Sequence, residues 1–360
     1  MNKNIIFEDL EYIKSKIDFT NFENSTILIT GAAGFLGYYF VNFFSRFSKD
    51  LKIKKIIALD NFLTGSKVWL ENLKKEFPEK LIVEKFDIIS DEINNIANSD
   101  EANIIIHLAS IASPTFYRKY PIETMDANIL GLRKLLDYYK EKGISSFLFF
   151  SSSEVYGDPD PREIPLKEEY RGNVATVGPR ACYDEAKRFG ETMSYLFAER
   201  YNLPIKIVRP FNNYGPGMNL NDKRVPADFA KAVFENRDIE IYSDGTPMRT
   251  FCYISDAITG YLKAITFNKF DIFNVGIDRP EISVKELADI YVEAGRKIFN
   301  YAGSVRLTKP LDRQYLTHNP NRRCPSISKA KSKLDFHPSI LVEEGVERFL
   351  NFVKYNNGEL

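Results

Sequence analysis

Apolar residues in this chain gather in short unbroken runs. Residues 26–30 (TILIT), 55–60 (KIIALD), 81–87 (LIVEKFD), 103–109 (NIIIHLA), 146–152 (SFLFFSS) and 205–211 (IKIVRPF) are rich in β-branched and aromatic side chains. Longer stretches with helical periodicity separate them. Unbroken apolar strands joined by helices predict a parallel sheet covered on both faces, the α/β doubly wound (Rossmann) class. Ahead of them, residues 1–24 alternate apolar and charged positions, with Ile6, Leu10, Ile13 and Ile17 at helical spacing, which predicts a short amphipathic extension. Past residue 211 the regularity breaks. NNYGPGMNLNDKR (212–224) has the Gly, Pro and Asn content of loops, and shorter elements follow. The expected organisation is a helical extension (1–24), a sheet domain (25–211, with a return segment near 250–275) and a smaller domain assembled from 212–249 and 276–360, with a cleft between the two domains.

Charge narrows the choice of partner. Lys+Arg and Asp+Glu both number 49 among 360 residues, so the formal net charge is zero. That balance gives no electrostatic case for nucleic acid or an anionic membrane, and any anion site has to come from a few placed groups. Cys182, Cys252 and Cys324 lie far apart without a C-x-x-C, as expected of a reduced, cytoplasmic chain. The N-terminus carries acids where a signal peptide needs an apolar run, and no stretch approaches the ~20 apolar residues that span a bilayer. His318 and His337 are isolated, His107 reads as a packed residue, and no cluster has metal-ligand spacing, so no metal is predicted.

The first apolar run leads directly into Gly31-Ala-Ala-Gly34-Phe35-Leu36-Gly37 and a helical pattern. Gly31 suits a tight turn, Gly34 lets backbone approach a pyrophosphate, and Gly37 lets helix and strand pack closely. The helix start offers free N–H groups and a positive dipole end to the phosphates. Asp60 closes the second run, where a carboxylate accepts from ribose hydroxyls and repels a 2′-phosphate, so NAD is favoured over NADP. Asp87, closing the third, is placed to meet the adenine edge. A bare strand–turn–helix could carry the glycines alone; glycines, helix and acid in register point to a dinucleotide.

Tyr183 and Lys187 share one face at the start of a predicted helix. An ammonium and a positive nicotinamide ring both favour phenolate, which would bring the phenol down from ~10 toward working pH. Such a tyrosine can take a proton from a sugar hydroxyl while the neighbouring carbon gives up hydride. Y-x-x-x-K alone is common; here it follows FLFFSSS, whose hydroxyls end at the carboxyl edge of the sheet, where ligands bind. Taken alone, Ser151–Ser153 would equally serve as caps for the next turn, and Glu154 as a buried carboxylate tied to backbone.

GAAGFLG, HLAS (107–110), SSSEVYG (151–157), YDEAK (183–187) and RPFNNYGP (209–216) occur in the order found in extended short-chain dehydrogenases. Within that group the chain most resembles the UDP-glucuronate decarboxylases, through DNFLTGSK (60–67), HLASIASPTFY (107–117), YRGNVATVGPRACYDEAKR (170–188), NDKRV (221–225), RTFCYISD (249–256) and NPNRRCPSI (319–327). The resemblance implies transient oxidation of a nucleotide sugar at C4 with NAD, loss of CO₂, and re-reduction. It implies that Ser152 assists Tyr183 and Lys187, and that Glu154 and Arg249 set decarboxylases apart. Cofactor contacts are implied for Phe35, Leu36, Asn61, Ile88, Leu108, Ala109 and Ser110 beside the glycines, Asp60 and Asp87. Sugar-nucleotide contacts are implied for Pro114, Tyr117, Ser153, Asn212, Arg224, Val225, Tyr242, Arg249 and Arg322. Arg180 and Arg323 receive no role. Ser153 stands where the related 4,6-dehydratases carry an acid, and a serine hydroxyl is a poor proton donor to departing water. A 4,6-dehydratase or 4-epimerase is the alternative enzyme, and a catalytically silent NAD-sensing module the alternative of another kind. The helix after residue 120 is expected to pair across a two-fold axis in a homodimer.

Overall fold

The six unbroken apolar runs all become strands of one parallel sheet. The computed structural model describes residues 5–309, 314 and 316–359. In chain order, α1 (Ile5–Lys14) precedes β1 (Thr26–Thr30), α2 (Phe35–Arg46), β2 (Lys55–Asp60), α3 (Lys67–Glu76), β3 (Leu81–Lys85) and β4 (Ile104–His107). Next come α4 (Pro114–Lys119), α5 (Pro121–Asp126), a π-helical segment (Ala127–Gly131), α6 (Leu132–Tyr139), β5 (Ser146–Phe150), α7 (Ala181–Tyr201) and β6 (Ile205–Pro210). The chain continues through β7 (Asn213–Tyr214), α8 (Val225–Phe234), β8 (Ile239–Ile241), β9 (Met248–Arg249), β10 (Cys252–Tyr253), α9 (Ile254–Ile265) and β11 (Asp271–Val275). It ends with β12 (Ile282–Ser283), α10 (Val284–Phe299), β13 (Val305–Leu307), β14 (Arg322–Arg323), α11 (Ser328–Leu334) and α12 (Val342–Tyr355).

The main sheet has the order β11-β6-β5-β4-β1-β2-β3, every neighbour parallel. Its central strands β1, β4 and β5 are buried along their whole length because both faces are covered. Successive side chains still alternate: Ile27, Ile29, Ile104, Ile106, Leu148 and Phe150 join one core with Phe40, Phe44 and Tyr261 of α2 and α9. Leu28, Ile105, Phe147 and Phe149 join the other with Leu135, Leu136, Met193 and Phe197 of α6 and α7. Several runs overshoot their strands: Asp87, Ala109 and Ser152 lie past the last paired residue. These residues leave the ladder at the carboxyl edge, and all three line the cleft. The order reverses at β1, between β4 and β2, which opens a crevice there.

Two glycines fix the turn after β1. Gly31 has φ +71°, and a Cβ on it would stand 2.7 Å from the amide nitrogen of Ala109. A Cβ on Gly37 would run into the Ala32 carbonyl. The C-terminal elements build smaller pairings: β13 with β8, β10 with β7, and β9 between β12 and β14. Arg249 of β9 is registered opposite Arg323 of β14. Among the described residues no helix is long and apolar enough to cross a membrane.

The N-terminal helix ends at Lys14, short of the extension expected over residues 1–24, and Ile17 lies beyond it. Ile6, Leu10 and Ile13 are buried, as their spacing predicts, but so is Asp9. Tyr39 and Tyr253 each donate to Asp9 Oδ2 at 2.8 Å, and Arg348 donates to Oδ1 at 2.7 Å. One carboxylate thus ties α1 to α2, β10 and α12. Removing the cation leaves a buried charge uncompensated. Arg348→Met is expected to lower unfolding stability by about 3 kcal/mol, and adding Asp9→Asn to return part of the loss. Denaturant titration checks both; an unchanged midpoint in Arg348→Met would show the anchor to be idle.

Candidate active site

A cavity of about 1280 Å³ runs along the carboxyl edge of β1, β2, β4 and β5 and reaches α8, β8 and β9. At one end it is floored by the first turn of α2. Gly34 occupies the N-cap and offers no side-chain cap, so the N–H groups of that turn remain for an anion. Gly31, Gly34, Phe35, Leu36 and Gly37 all line this end. Asp60 accepts the Ala33 amide at 2.9 Å on one carboxylate oxygen and the Phe62 amide at 2.7 Å on the other. Each oxygen keeps a second lone pair, and the residue lines the cavity. Asn61 donates to Asp87 at 3.2 Å, linking the ends of β2 and β3. Ile88, Leu108, Ala109 and Ser110 complete the wall. The Ser110 hydroxyl is buried without a partner among the described residues. The glycine cradle, uncapped helix start, acid and orphan hydroxyl together fit a dinucleotide.

At the centre, Tyr183 and Lys187 lie in the first two turns of α7, both buried. The Tyr183 ring stacks on Tyr117 with centroids 5.2 Å apart and planes 12° off parallel. The Tyr117 hydroxyl is buried and partnerless among the described residues. Lys187 Nζ donates to the Phe150 carbonyl at 2.7 Å and lies 5.6 Å from the Tyr183 ring centroid. Burial pushes the Tyr183 phenol up to about 12, with Glu154 and Asp184 adding to the rise, while a hydrogen bond with Ser152 and the charge of Arg224 oppose it. Burial likewise pushes Lys187 down to about 7, against the pull of Glu191. The sequence argument had the ammonium lowering the phenol. In the folded chain desolvation outweighs that, because the same pocket that gathers the pair also removes their water.

Glu154 is the residue whose surroundings the sequence left least clear. It is tied to guanidiniums, not to backbone carbonyls or amides through its side chain. Arg323 meets it in a two-pronged contact, Nη1 to Oε1 at 2.6 Å and Nη2 to Oε2 at 2.8 Å, and Arg180 Nη2 reaches Oε2 as well. Burial alone would raise this carboxyl; the two guanidiniums overcome it and hold Glu154 well below the usual carboxylate range. Arg180 also faces Asp184, 3.6 Å away and four residues on, which burial and Glu154 push up to about 7. Arg249 lines the cavity close by, its guanidinium donating to the carbonyls of Met248, Pro320 and Asn321 at 2.7, 2.5 and 3.1 Å. Burial, then the charge of Arg323, brings it down to about 9.

The remaining candidates spread along the cavity. Ser152 and Ser153 follow β5, and Pro114 opens α4. Asn212, at φ +43°, donates to the Thr250 carbonyl at 2.9 Å. Arg224 caps α8 ahead of Val225, pairs with Asp222 at 2.5 Å and lies 5.9 Å from the Phe35 ring, where the two ends of the cavity meet. Tyr242 donates to Glu240 at 2.8 Å at the far end. Arg322 is the exception. It does not line the cavity; it points outward and pairs with Glu281 at 2.7 Å, nearly half exposed. Side chains alternate along a strand, so with Arg323 facing the cleft beside Arg249, Arg322 has to face away beside Met248. Of the adjacent pair it is Arg323, not the expected Arg322, that lines the cavity, together with Arg180, for which no role was expected. The available signal was helix phase: Arg180 precedes Asp184 by one helical repeat and so shares its side.

A family model described as the NAD dependent epimerase/dehydratase family matches residues 27–276. UDP-glucuronic acid decarboxylase 3 of Arabidopsis thaliana is 34% identical over 323 residues, covering 90% of this chain and 87% of that protein. UDP-glucuronic acid decarboxylase 1 of Xenopus tropicalis is 32% identical over 335 residues, covering 92% and 73%. Among solved structures, a UDP-glucose 4-epimerase of Thermotoga maritima with UDP-glucose superposes with a TM-score of 0.78 at 24% identity, covering 92% of this chain and 99% of that one. A UDP-glucuronic acid 4-epimerase of Bacillus cereus with UDP-glucuronic acid and NAD gives 0.75 at 23%, with the same coverage. These structures speak for the fold, and the family match with the curated relatives speaks for descent: the chain belongs to the NAD dependent epimerase/dehydratase family.

Proposed function

We propose that this chain converts UDP-glucuronate to UDP-xylose through transient oxidation at C4. The observation that carries the reading is the charge at the sugar end of the cavity. Arg180, Arg249 and Arg323 gather around Glu154, with Asp184 the other carboxylate beside Arg180 and pushed up by burial and by Glu154. A cationic surplus in a desolvated pocket suits a sugar that itself carries a carboxylate and offers a neutral hexose nothing. Ser153, in place of an acid, argues in the same direction against dehydration.

The α2 turn and Asp60 would hold NAD, which would supply reversible hydride acceptance at C4. The chain's own groups do the rest. Tyr183 takes the C4 hydroxyl proton, assisted by the Ser152 hydroxyl, and gives it back at the end. Lys187 holds the Tyr183 side of the pocket from its anchor on the Phe150 carbonyl. Once C4 is a ketone, the C5–C6 bond lies next to the carbonyl's α-carbon. Its electrons pass into an enolate as CO₂ leaves, and C5 then takes a proton from solvent. We read segments 212–249 and 276–360 as the nucleotide-sugar side, with Arg224 at the diphosphate and Tyr242 against the base. Three unpaired cysteines fit a cytoplasmic home.

Homodimer formation is part of this proposal. Ile122 and Met125 on α5, Leu130, and Phe189 and Leu196 on α7 are large, apolar and exposed. The two helices pack side by side, so these residues form a face suited to a second copy of the same chain. Light scattering is expected to return twice the chain mass, and Leu196→Glu to return the monomer; a monomeric wild type would remove the dimer.

Offered NAD⁺ and a panel of UDP-glucuronate, UDP-glucose, dTDP-glucose and GDP-mannose, the protein is expected to form UDP-xylose alone, read by NMR. Tyr183→Phe is expected to lose roughly 10²–10⁴-fold in turnover while still binding NAD. Turnover of a neutral hexose without decarboxylation would transfer the reading to an epimerase or dehydratase. Wild-type biological activity in Tyr183→Phe would leave an NAD-sensing module.

A further inference from the structure

Glu154 lines the cleft with its carboxylate gripped by two guanidiniums. A carboxylate has about four lone-pair sites. Arg323 Nη2 and Arg180 Nη2 both donate to Oε2, while Arg323 Nη1 stands 2.6 Å from Oε1 as an ion pair. Acceptor capacity is left on Oε1, and the side chain is 20% exposed and lines the cavity. The arginines are themselves held. Arg323 Nη2 also donates to the Gly157 carbonyl at 3.2 Å, and the Arg180 guanidinium lies 5.8 Å from the Tyr117 ring centroid and beside Asp184. Both arginine side chains are nearly fully buried, at 6% and 3% exposure, so neither can swing away without moving the walls. They come from opposite sides of the cleft, Arg180 from the residue before α7 and Arg323 from β14.

We propose that Arg180 and Arg323 are positioning residues that fix Glu154 as a permanent anion with a free acceptor on Oε1, so that Glu154 receives a hydrogen bond from the sugar and carries no proton during the reaction. This rests on the proposed function for its kinetic consequences, though not for its geometry. The charges facing Glu154 are Arg180 and Asp184 from the α7 side, Arg323 from β14 and Arg249 from β9, with the phenols of Tyr117 and Tyr183 beside them. An unbalanced carboxylate here would oppose ionisation of Tyr183, and its charge already pushes that phenol up. The two guanidiniums offset that field while leaving the acceptor in place. Without one of them, burial would weigh more heavily and Glu154 would take up a proton at higher pH than in the wild type, losing the acceptor it offers.

The test uses the holoenzyme and two independent readings. Infrared difference spectra against Glu154→Gln, titrated from acid to alkaline pH, are expected to show no protonated-carboxyl band from Glu154 in the wild type and a clear one in Arg323→Met. Kinetically, Arg323→Met is expected to lose roughly 10²-fold in kcat/KM, and to gain an acid limb in its pH profile that the wild type lacks. Added to Glu154→Gln, the same substitution is expected to cost nothing further. Arg323→Lys, which keeps a cation but not the fork, should fall between the two and decides the matter if the Met variant does not fold. A wild-type protonated-carboxyl band, an Arg323→Met spectrum without one, or losses that multiply in the double variant would each overturn the proposal. A wild type that leaves UDP-glucuronate untouched would instead remove the proposed function, with the infrared reading still deciding the positioning.

Discussion

Taking a carboxylate out of water costs several kcal/mol unless cations and hydrogen bonds replace the lost hydration, and the centre of this cleft is built around that demand. Glu154 is answered by two guanidiniums, Arg180 by two carboxylates, and Arg249 by three backbone carbonyls. Each group is kept in a defined charge state by its neighbours, and none could be removed without stranding another. The cavity walls follow from this: α7 has to begin at Arg180, β14 has to lie beside β9, and the Pro320–Asn321 carbonyls have to turn inward.

Very short strands deliver that arrangement. Two residues of β14 against two of β9 contribute little stability, yet they set a register, and register decides which side chain of an Arg-Arg pair enters the cleft. On the other side of the site, the long helix α7 carries Tyr183 and Lys187 at fixed spacing from the guanidinium that precedes it. A rigid helix and a parallel sheet therefore fix Tyr183 and Lys187, and a small three-stranded sheet brings Arg249 and Arg323 to the cleft.

The division between what the residues disclosed and what they did not follows the range of the forces. The sheet was legible because unbroken apolar runs and strand-to-helix glycines are local signals, and Gly31 and Gly37 meet steric limits that no other residue satisfies. The Tyr183–Lys187 pair was legible because one helical repeat is also local. The partners of Glu154 were not, since Arg180 is 26 positions away and Arg323 is 169, and only pairing across the cleft selects Arg323 over Arg322. The buried Asp9 was hidden for the same reason: a carboxylate in an amphipathic segment reads as solvated until three donors from distant elements close on it.

The direction of the Tyr183 shift has a further consequence. Burial disfavours the charged form of every group, so a phenol and an amine placed together in a dry pocket both become neutral unless something outside the pair supplies charge. The downward shift of Lys187 and the upward shift of Tyr183 both follow from that desolvation. Ser152 and Arg224 pull the phenol down, but neither suffices against desolvation. A base held neutral until a cation arrives beside it cannot abstract protons from water or from the wrong ligand. Under the proposed function, a positive ring beside Tyr183 would supply the charge that the buried pair lacks.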